Sequence, residues 1–182
     1  MNSRKVPQVT LGIKGKMCLF LQFPLSGWTT VFKQTGENTI SSEDTITSFH
    51  RGKEWKISFE FQPTSLGSTR HILRCGSHDP GFQIKSNYKL RVYFSGSYQD
   101  FLDSPSMGKW SWTKLEFKQE KEEEEEEKGK ESNSGYFISI SMNGKELFKG
   151  ENPSPKEESN INVILGSQPG KIRSLLIKNK NN

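Results

Sequence analysis

Apolar and polar residues alternate with a period of two along most of this chain, the spacing of a β-strand that buries one face. Within residues 55–62, Ile57, Phe59 and Phe61 fall on one face and the polar residues between them on the other. No window of about eleven residues or more carries the apolar stripe of an amphipathic helix. The pattern therefore predicts an all-β chain.

Ten segments carry the strand pattern, and turn residues separate them. They are residues 17–23, 55–62, 70–75, 81–85, 88–94, 112–119, 135–142, 145–149, 161–165 and 171–178. The strongest turn signal is Asn143-Gly144, because both central residues of a type I′ hairpin turn take positive φ. Short strands with recurrent turns predict an antiparallel β-sandwich (jelly roll) of two curved sheets, as a single domain over residues 1–182.

One segment departs from the strand pattern and changes the charge balance. Residues 120–131 hold eight Glu and three Lys; the whole chain carries a net charge of +5, and without this segment it would carry +10. Adjacent carboxylates repel one another and bury no apolar surface, which predicts a disordered acidic loop at 120–134. Such a loop either lies across a basic face and competes with an anionic ligand, or is only a solvated linker.

The remaining composition narrows the class of protein. No apolar run is long enough to cross a bilayer, and residues 1–5 lack the apolar core of a secretory signal, so we expect a soluble chain. Cys18 and Cys75 are too few for a disulfide scaffold or a four-thiolate zinc site. Three alternatives stay open for them: small buried hydrophobes, one disulfide between the layers, or a reactive thiol.

A series of motifs within residues 55–178 resembles a laminin-G-like or pentraxin-like domain of the concanavalin A-like lectin/glucanase superfamily. The motifs are Trp-Lys-Ile-Ser-Phe-Glu-Phe-Gln-Pro-Thr at 55–64, Arg-His-Ile-Leu-Arg-Cys-Gly at 70–76, Gly-Lys-Trp-Ser-Trp-Thr-Lys-Leu-Glu-Phe at 108–117, the strand–turn–strand unit at 135–148, and Asn-Val-Ile-Leu-Gly at 162–166 followed by 170–177. The resemblance implies two packed, curved sheets, binding of a glycan or a protein partner, and an extracellular setting as an excised domain. Without that resemblance, the sequence would predict a cytoplasmic protein.

The resemblance also implies roles for particular residues. Trp112 occupies a structural position of the family motif. Loops of the family often hold calcium, and Asp100 and Asp103 are the candidate ligands here, although no cofactor is otherwise indicated. The set His71, Cys75, His78 and Asp79 is less suited to zinc, because His71 and Cys75 are separated along one strand.

Catalytic patterns do not occur in the sequence. Glycoside hydrolysis needs two carboxylates in fixed geometry, and no strand carries the E-x-D-x-x-E spacing of related glucanases. The galectin motifs H-x-N-P-R and W-G-x-E are missing as well, as are phosphate- and dinucleotide-binding fingerprints. We therefore expect a protein that is not an enzyme.

Basic and aromatic side chains form the most informative pattern. Lys89, Arg91 and Tyr93 alternate with apolar residues on one predicted strand, and Lys114 and Lys118 do so on another. Trp110 lies beside the second group. Adjacent strands would make these six residues one cationic face suited to a sulfated or sialylated glycan, an anionic lipid or an acidic protein. Alternatively, the lysines only block edge pairing and keep the domain soluble.

These observations predict a non-enzymatic recognition module that binds an anionic glycan or a partner protein through one sheet face and its rim loops. The alternative is a structural domain that packs against other domains or copies of itself. Nucleic acid is disfavoured, although the isoelectric point is about 9.1, because the cations are not clustered and no nucleic-acid-binding motif occurs.

Overall fold

The computed structural model describes residues 27–51, 54–65, 68–77, 79–121, 135–152 and 159–180. These residues form thirteen β-strands and no helix, as the alternation predicts. The strands are β1 (Trp28–Lys33), β2 (Asn38–Ile40), β3 (Asp44–Arg51), β4 (Trp55–Pro63), β5 (Arg70–Cys75), β6 (Gly81–Ile84), β7 (Leu90–Phe94), β8 (Ser97–Phe101), β9 (Thr113–Lys121), β10 (Tyr136–Met142), β11 (Lys145–Asn152), β12 (Ser159–Leu165) and β13 (Gly170–Lys180). The described part of the chain contains no helix capable of spanning a membrane.

The strands form two antiparallel sheets. The first sheet has the order β1-β13-β4-β9-β10-β11, with β2 paired to β13. The second sheet has the order β3-β12-β5-β6-β7-β8. Strands close in sequence often lie in different sheets, so the chain crosses repeatedly between layers, and the fold is the predicted β-sandwich.

The core lies between the sheets and is built from the apolar half of each alternating strand. Phe59 and Phe117 of the first sheet both meet Phe82 of the second edge to face, with ring centroids 5.0 and 6.1 Å apart. Edge-to-face packing adds to the free energy gained by burying these rings. Trp55 stacks on Phe117 within the first sheet at 4.9 Å. The outer faces of the two sheets consequently point in opposite directions.

Most predicted strands are confirmed, with shifts at their ends. The Asn143-Gly144 hairpin is also confirmed, because both residues have positive φ (51° and 79°) between β10 and β11. Four strands escaped prediction: β1, β2, β3 and β8. The predicted strand at 17–23 lies outside the described residues. Residues 122–134 of the predicted acidic loop also lie outside the described residues. The first two residues of the predicted loop, 120 and 121, instead form the end of β9.

Candidate functional site

The outer face of the second sheet carries a polar row that crosses four strands. His71 of β5 pairs with Gln83 of β6, Gln83 with Arg91 of β7, and Arg91 with Asp100 of β8. Apolar neighbours such as Leu90 and Val92 are fully buried on the opposite side of the strand, so the row faces outward. Tyr93 and Tyr98 form the adjacent row. We call these six residues the arginine–tyrosine face.

Arg91 is held in place by charge. Its Nε and Nη2 donate to Oδ1 and Oδ2 of Asp100 at 2.5 and 3.0 Å, and Lys85 Nζ donates to Oδ2 at 2.5 Å. Hydrogen bonding to Arg91 is the main reason that the pKa of Asp100 falls to about 2. The same hydrogen bond raises the pKa of Arg91 above its ordinary value. Arg91 and Lys85 together outnumber the one carboxylate, so this cluster keeps a net positive charge.

Aromatic rings surround the guanidinium. The Arg91 guanidinium carbon lies 4.0 Å from the centroid of the Tyr98 ring, a cation–π contact. Tyr93 lies 5.6 Å from Tyr98 and 5.9 Å from His71 between ring centroids. Tyr93 also pairs across β6 and β7 with Gly81. The result is a surface of cation and ring planes.

Gln83 is an unusual member of the arginine–tyrosine face. Only 7% of its surface is exposed, although it points to the outer side of β6. Its Nε2 lies 2.8 Å from His71 Nε2, while its Oε1 is buried and has no donor in the described part of the chain. A buried acceptor without a donor costs free energy.

A second feature lies at the rim, where the β6–β7 turn meets the β8–β9 connection. A cleft of about 470 Å³ is lined by Ser65, Tyr88, Ser106, Met107, Gly108 and Lys109. Tyr88 is 44% exposed, and Trp110, next to Lys109, is 59% exposed. Both have positive φ, 67° and 64°, a strained conformation for bulky residues. The Trp110 backbone is fixed by its N–H on the Pro63 carbonyl and by Gln62 Nε2 on its own carbonyl.

The structure does not bring the predicted cationic residues together as one face. Arg91 and Tyr93 project from the outer side of the second sheet, whereas Lys114 and Lys118 project from the outer side of the first. The prediction of a single face is therefore wrong, because β7 and β9 belong to opposite layers. Trp110 lies at the rim between the layers.

Lys89 also differs from its predicted position. It precedes β7, and its Nζ donates to the Ser104 carbonyl at 2.5 Å. Its backbone follows Tyr88, whose positive φ turns the chain at this point. Lys89 thus fastens the β6–β7 turn to the segment after β8 and contributes less charge to the open face than expected.

The residues suggested for metal and disulfide chemistry have the following places. Asp100 is engaged by Arg91 and Lys85, so a calcium ion would have to displace two cations, while Asp103 is exposed after the end of β8. A calcium site with these ligands stays a prediction. Cys75 is buried in the core on β5. Cys18 and His78 lie outside the described residues, so their pairing and ligand roles stay predictions.

Several contributors to the two sites were not anticipated, among them His71 as part of a sheet face, Gln83, Tyr98 and Tyr88. Gln83 sits between Phe82 and Ile84, and its alternation with buried neighbours was the available signal. Tyr98 belongs to a mostly exposed edge strand with little alternation. Tyr88 lies in the turn before β7. The position of its side chain depends on the backbone conformation of that turn, which the sequence pattern does not reveal.

Comparisons with known proteins support the fold. No family model and no curated protein matches the sequence. Among solved structures, a heptameric pentraxin from Limulus polyphemus is similar over 80% of this chain and 73% of its own, with 11% identity and a TM-score of 0.50. An endo-β-1,4-glucuronan lyase from Trichoderma reesei is similar over 84% of this chain and 80% of its own, with 12% identity and a TM-score of 0.50. The chain has the jelly-roll fold of concanavalin A-like proteins.

Proposed function

We propose that this chain is a non-enzymatic recognition module whose arginine–tyrosine face binds an anionic glycan. The observation that carries the proposal is the in-register row of His71, Gln83, Arg91 and Asp100 beside two tyrosine rings. Charged glycans present carboxylate or sulfate groups, hydroxyl groups and apolar ring faces on one small molecule. Each of these has a matching partner on the arginine–tyrosine face.

Arg91 is the expected partner of the ligand's negative charge. Its guanidinium is fixed by Asp100, and Lys85 adds a second positive charge beside it. Fixed donors lose less entropy on binding than mobile ones. Tyr98, whose side chain is 53% exposed, is the expected hydrogen-bond partner of a ligand hydroxyl. Tyr93 and Tyr98 offer planes against which the apolar face of a sugar ring can pack.

The environment of the carboxylates favours binding over hydrolysis. A glycosidase needs one carboxyl whose pKa is raised so that it can donate a proton. Here the pKa of Asp100 is low, at about 2, and nearby lysines lower the pKa of Glu116 although burial opposes them. Glu60 is paired with Arg173 at 2.6 Å. These carboxylates act as ion-pair partners, which supports a recognition role. An extracellular or cell-surface location is part of the same proposal.

The proposal is tested with glycans that differ only in charge. Binding of a sialylated oligosaccharide, a sulfated oligosaccharide and their neutral parents is measured by calorimetry for the wild-type chain and for Arg91→Ala. We expect the charged forms to bind, and Arg91→Ala to lose at least about tenfold in affinity, the scale of a charge-assisted hydrogen bond. The matched control Lys145→Ala removes one exposed positive charge from the β10–β11 turn and should leave the affinity unchanged.

Two results would overturn the proposal. One is equal affinity of Arg91→Ala and wild type, measured at a temperature where circular dichroism shows that the variant is folded. The other is equal loss in Arg91→Ala and Lys145→Ala, because that pattern would reflect net charge and not a site.

A further inference from the structure

The outer face of the first sheet carries a line of lysines that neither the fold nor the proposed glycan site uses. Lys178 of β13 pairs with Lys56 of β4, and Lys56 pairs with Lys118 of β9. Ser139 of β10 continues the line and pairs with Lys149 of β11. We call the four lysines the lysine row.

The lysine row points to the outside of the sandwich. The residue before each of three of these lysines, Ile177, Phe117 and Phe148, packs into the core, and so does Ile57 after Lys56. Successive side chains of a strand alternate between faces, so the lysines share the outer face. Neighbouring strands lie about 4.8 Å apart, so the row crosses five strands over roughly 19 Å.

Placing these charges side by side costs stability. Like charges directly opposite on neighbouring strands destabilise a sheet. Lys56 lies 3.6 Å from Glu116, which is closer, at 3.1 Å, to Lys114. Within the described ranges, neither Lys118, Lys149 nor Lys178 has a carboxylate within ion-pair distance. The lysine row is therefore a mostly uncompensated line of positive charge.

Protection of a sheet edge does not account for the lysine row. Lysines on edge strands prevent pairing with other chains. Lys56 and Lys118, however, lie on β4 and β9, two central strands with neighbours on both sides. Lysines that only keep a protein soluble need not be aligned in one register across neighbouring strands.

Carboxylates border the lysine row on both sides. Two residues along β9 from Lys118 lie Glu116 in one direction and Glu120 in the other. Glu151 borders Lys149 on β11, and Glu146, opposite Ser141, lies on its other side. The positive potential is thus confined to a narrow line. A planar anionic membrane or a wide duplex would meet the bordering carboxylates, whereas one narrow chain would not.

We propose that the lysine row is a binding track for a single linear polyanionic polysaccharide that lies across the strands of the first sheet. The ligand's negative groups recur along one line, as the ammonium groups do. Single-stranded nucleic acid fits less well, because its bases need exposed ring planes, and the nearby ring of Phe137 has Lys149 Nζ over it at 5.9 Å. The track is separate from the arginine–tyrosine face, which lies on the opposite side of the sandwich.

A pair of matched double variants tests the track. Lys56→Gln/Lys118→Gln removes two charges from the lysine row, and Lys33→Gln/Lys145→Gln removes two exposed charges elsewhere on the same sheet. The probe is a heparin oligosaccharide of defined length, measured by calorimetry at several salt concentrations. We expect the first variant to lose at least about tenfold in affinity at low salt, and the slope of log affinity against log salt to fall by about one for each lysine removed. We expect the second to stay close to wild type.

Folding of the row variant is checked by urea unfolding, where relief of lysine repulsion predicts a midpoint equal to or above that of wild type. Equal losses in the two double variants would overturn the track, since only net charge would then matter. Tighter, row-dependent binding to oligo(dT) or to phosphatidylserine vesicles than to heparin would also overturn it, in favour of a nucleic acid or a membrane. Both double variants are also compared in an Arg91→Ala background, where the arginine–tyrosine face no longer contributes to heparin binding, so failure of the arginine–tyrosine face and failure of the track give different results.

Discussion

Arg91 and Asp100 face each other across the β7–β8 pair, and two guanidinium nitrogens donate to the two oxygens of one carboxylate. The pKa of Asp100 is about 2 in the folded chain, below the value of about 3.9 for an unfolded Asp. A lowered pKa contributes stability above the unfolded pKa, and this contribution is lost as the pH falls from about 4 to about 2. Asp100→Asn should therefore destabilise the fold by about 1 kcal/mol at pH 6, and the difference from wild type should shrink toward pH 2. Urea unfolding across this pH range measures the difference in stability between wild type and Asp100→Asn.

Asp103→Asn is the control for this pH dependence. Asp103 is exposed after β8, and no ion pair holds it among the residues with described positions. Its substitution should change stability little at any pH. A difference between wild type and Asp100→Asn that stays constant from pH 6 to pH 2 would contradict the assignment of the low pKa to Asp100.

Gly166 connects the core to the arginine–tyrosine face. Its N–H donates to the Ile72 carbonyl at 2.8 Å, and a Cβ at this position would lie 2.1 Å from the backbone oxygen of His71. Backbone cannot yield as a flexible side chain can, so we expect Gly166→Ala to destabilise the fold by about 1–3 kcal/mol or more. Gly36→Ala meets no atom within 4 Å and should change stability by less than about 0.5 kcal/mol. Similar urea midpoints for the two variants would show that β5 can move away from Gly166.

Two tryptophans with contrasting surroundings should respond differently to removal. Trp55 is 2% exposed and stacked on Phe117, so Trp55→Ala should cost about 3–5 kcal/mol. Trp110 is 59% exposed at the rim, so Trp110→Ala should cost less than about 0.5 kcal/mol. Thermal unfolding followed by circular dichroism compares them without using tryptophan emission. A large loss in Trp110→Ala would mean that its ring stabilises the rim and is not free for a ligand.

A strand of this fold can be predicted from the sequence when one of its faces is buried and the other is exposed. In β4, every second residue enters the core, and the alternation located the strand to within one residue. In β8, only Phe101 is buried, because this strand closes an edge, and no alternation marks it. Among the described strands, β1 likewise lies at an edge and pairs only with β13, which is nearly 150 residues away along the chain.

The same long-range pairing limited prediction of the sites. Alternation correctly separated the outward Arg91 from its buried neighbours, but it carries no information about which sheet a strand joins. The lysine row depends on the register of β13, β4, β9, β10 and β11. Only β10 and β11 are joined by a tight hairpin, whereas the other pairings join segments that are farther apart in the sequence. Strand faces were therefore predictable, whereas composite surfaces were not.

The acidic run at residues 122–127 should oppose polyanion binding through its charge. Replacing these six Glu by Gln keeps the chain length and changes the net charge from +5 to +11. We expect the variant to elute from a heparin column at higher salt than wild type, because fewer negative charges repel the ligand. The difference in heparin affinity should be largest at low salt and fade near 1 M, where the Debye length is about 3 Å. Replacing the exposed residues Glu37 and Glu43 by Gln, and Asp44 and Asp103 by Asn, provides a comparison for dispersed charge, because none of these four borders the lysine row. If the 122–127 variant elutes as wild type does, the run is a solvated linker that does not influence the ligand.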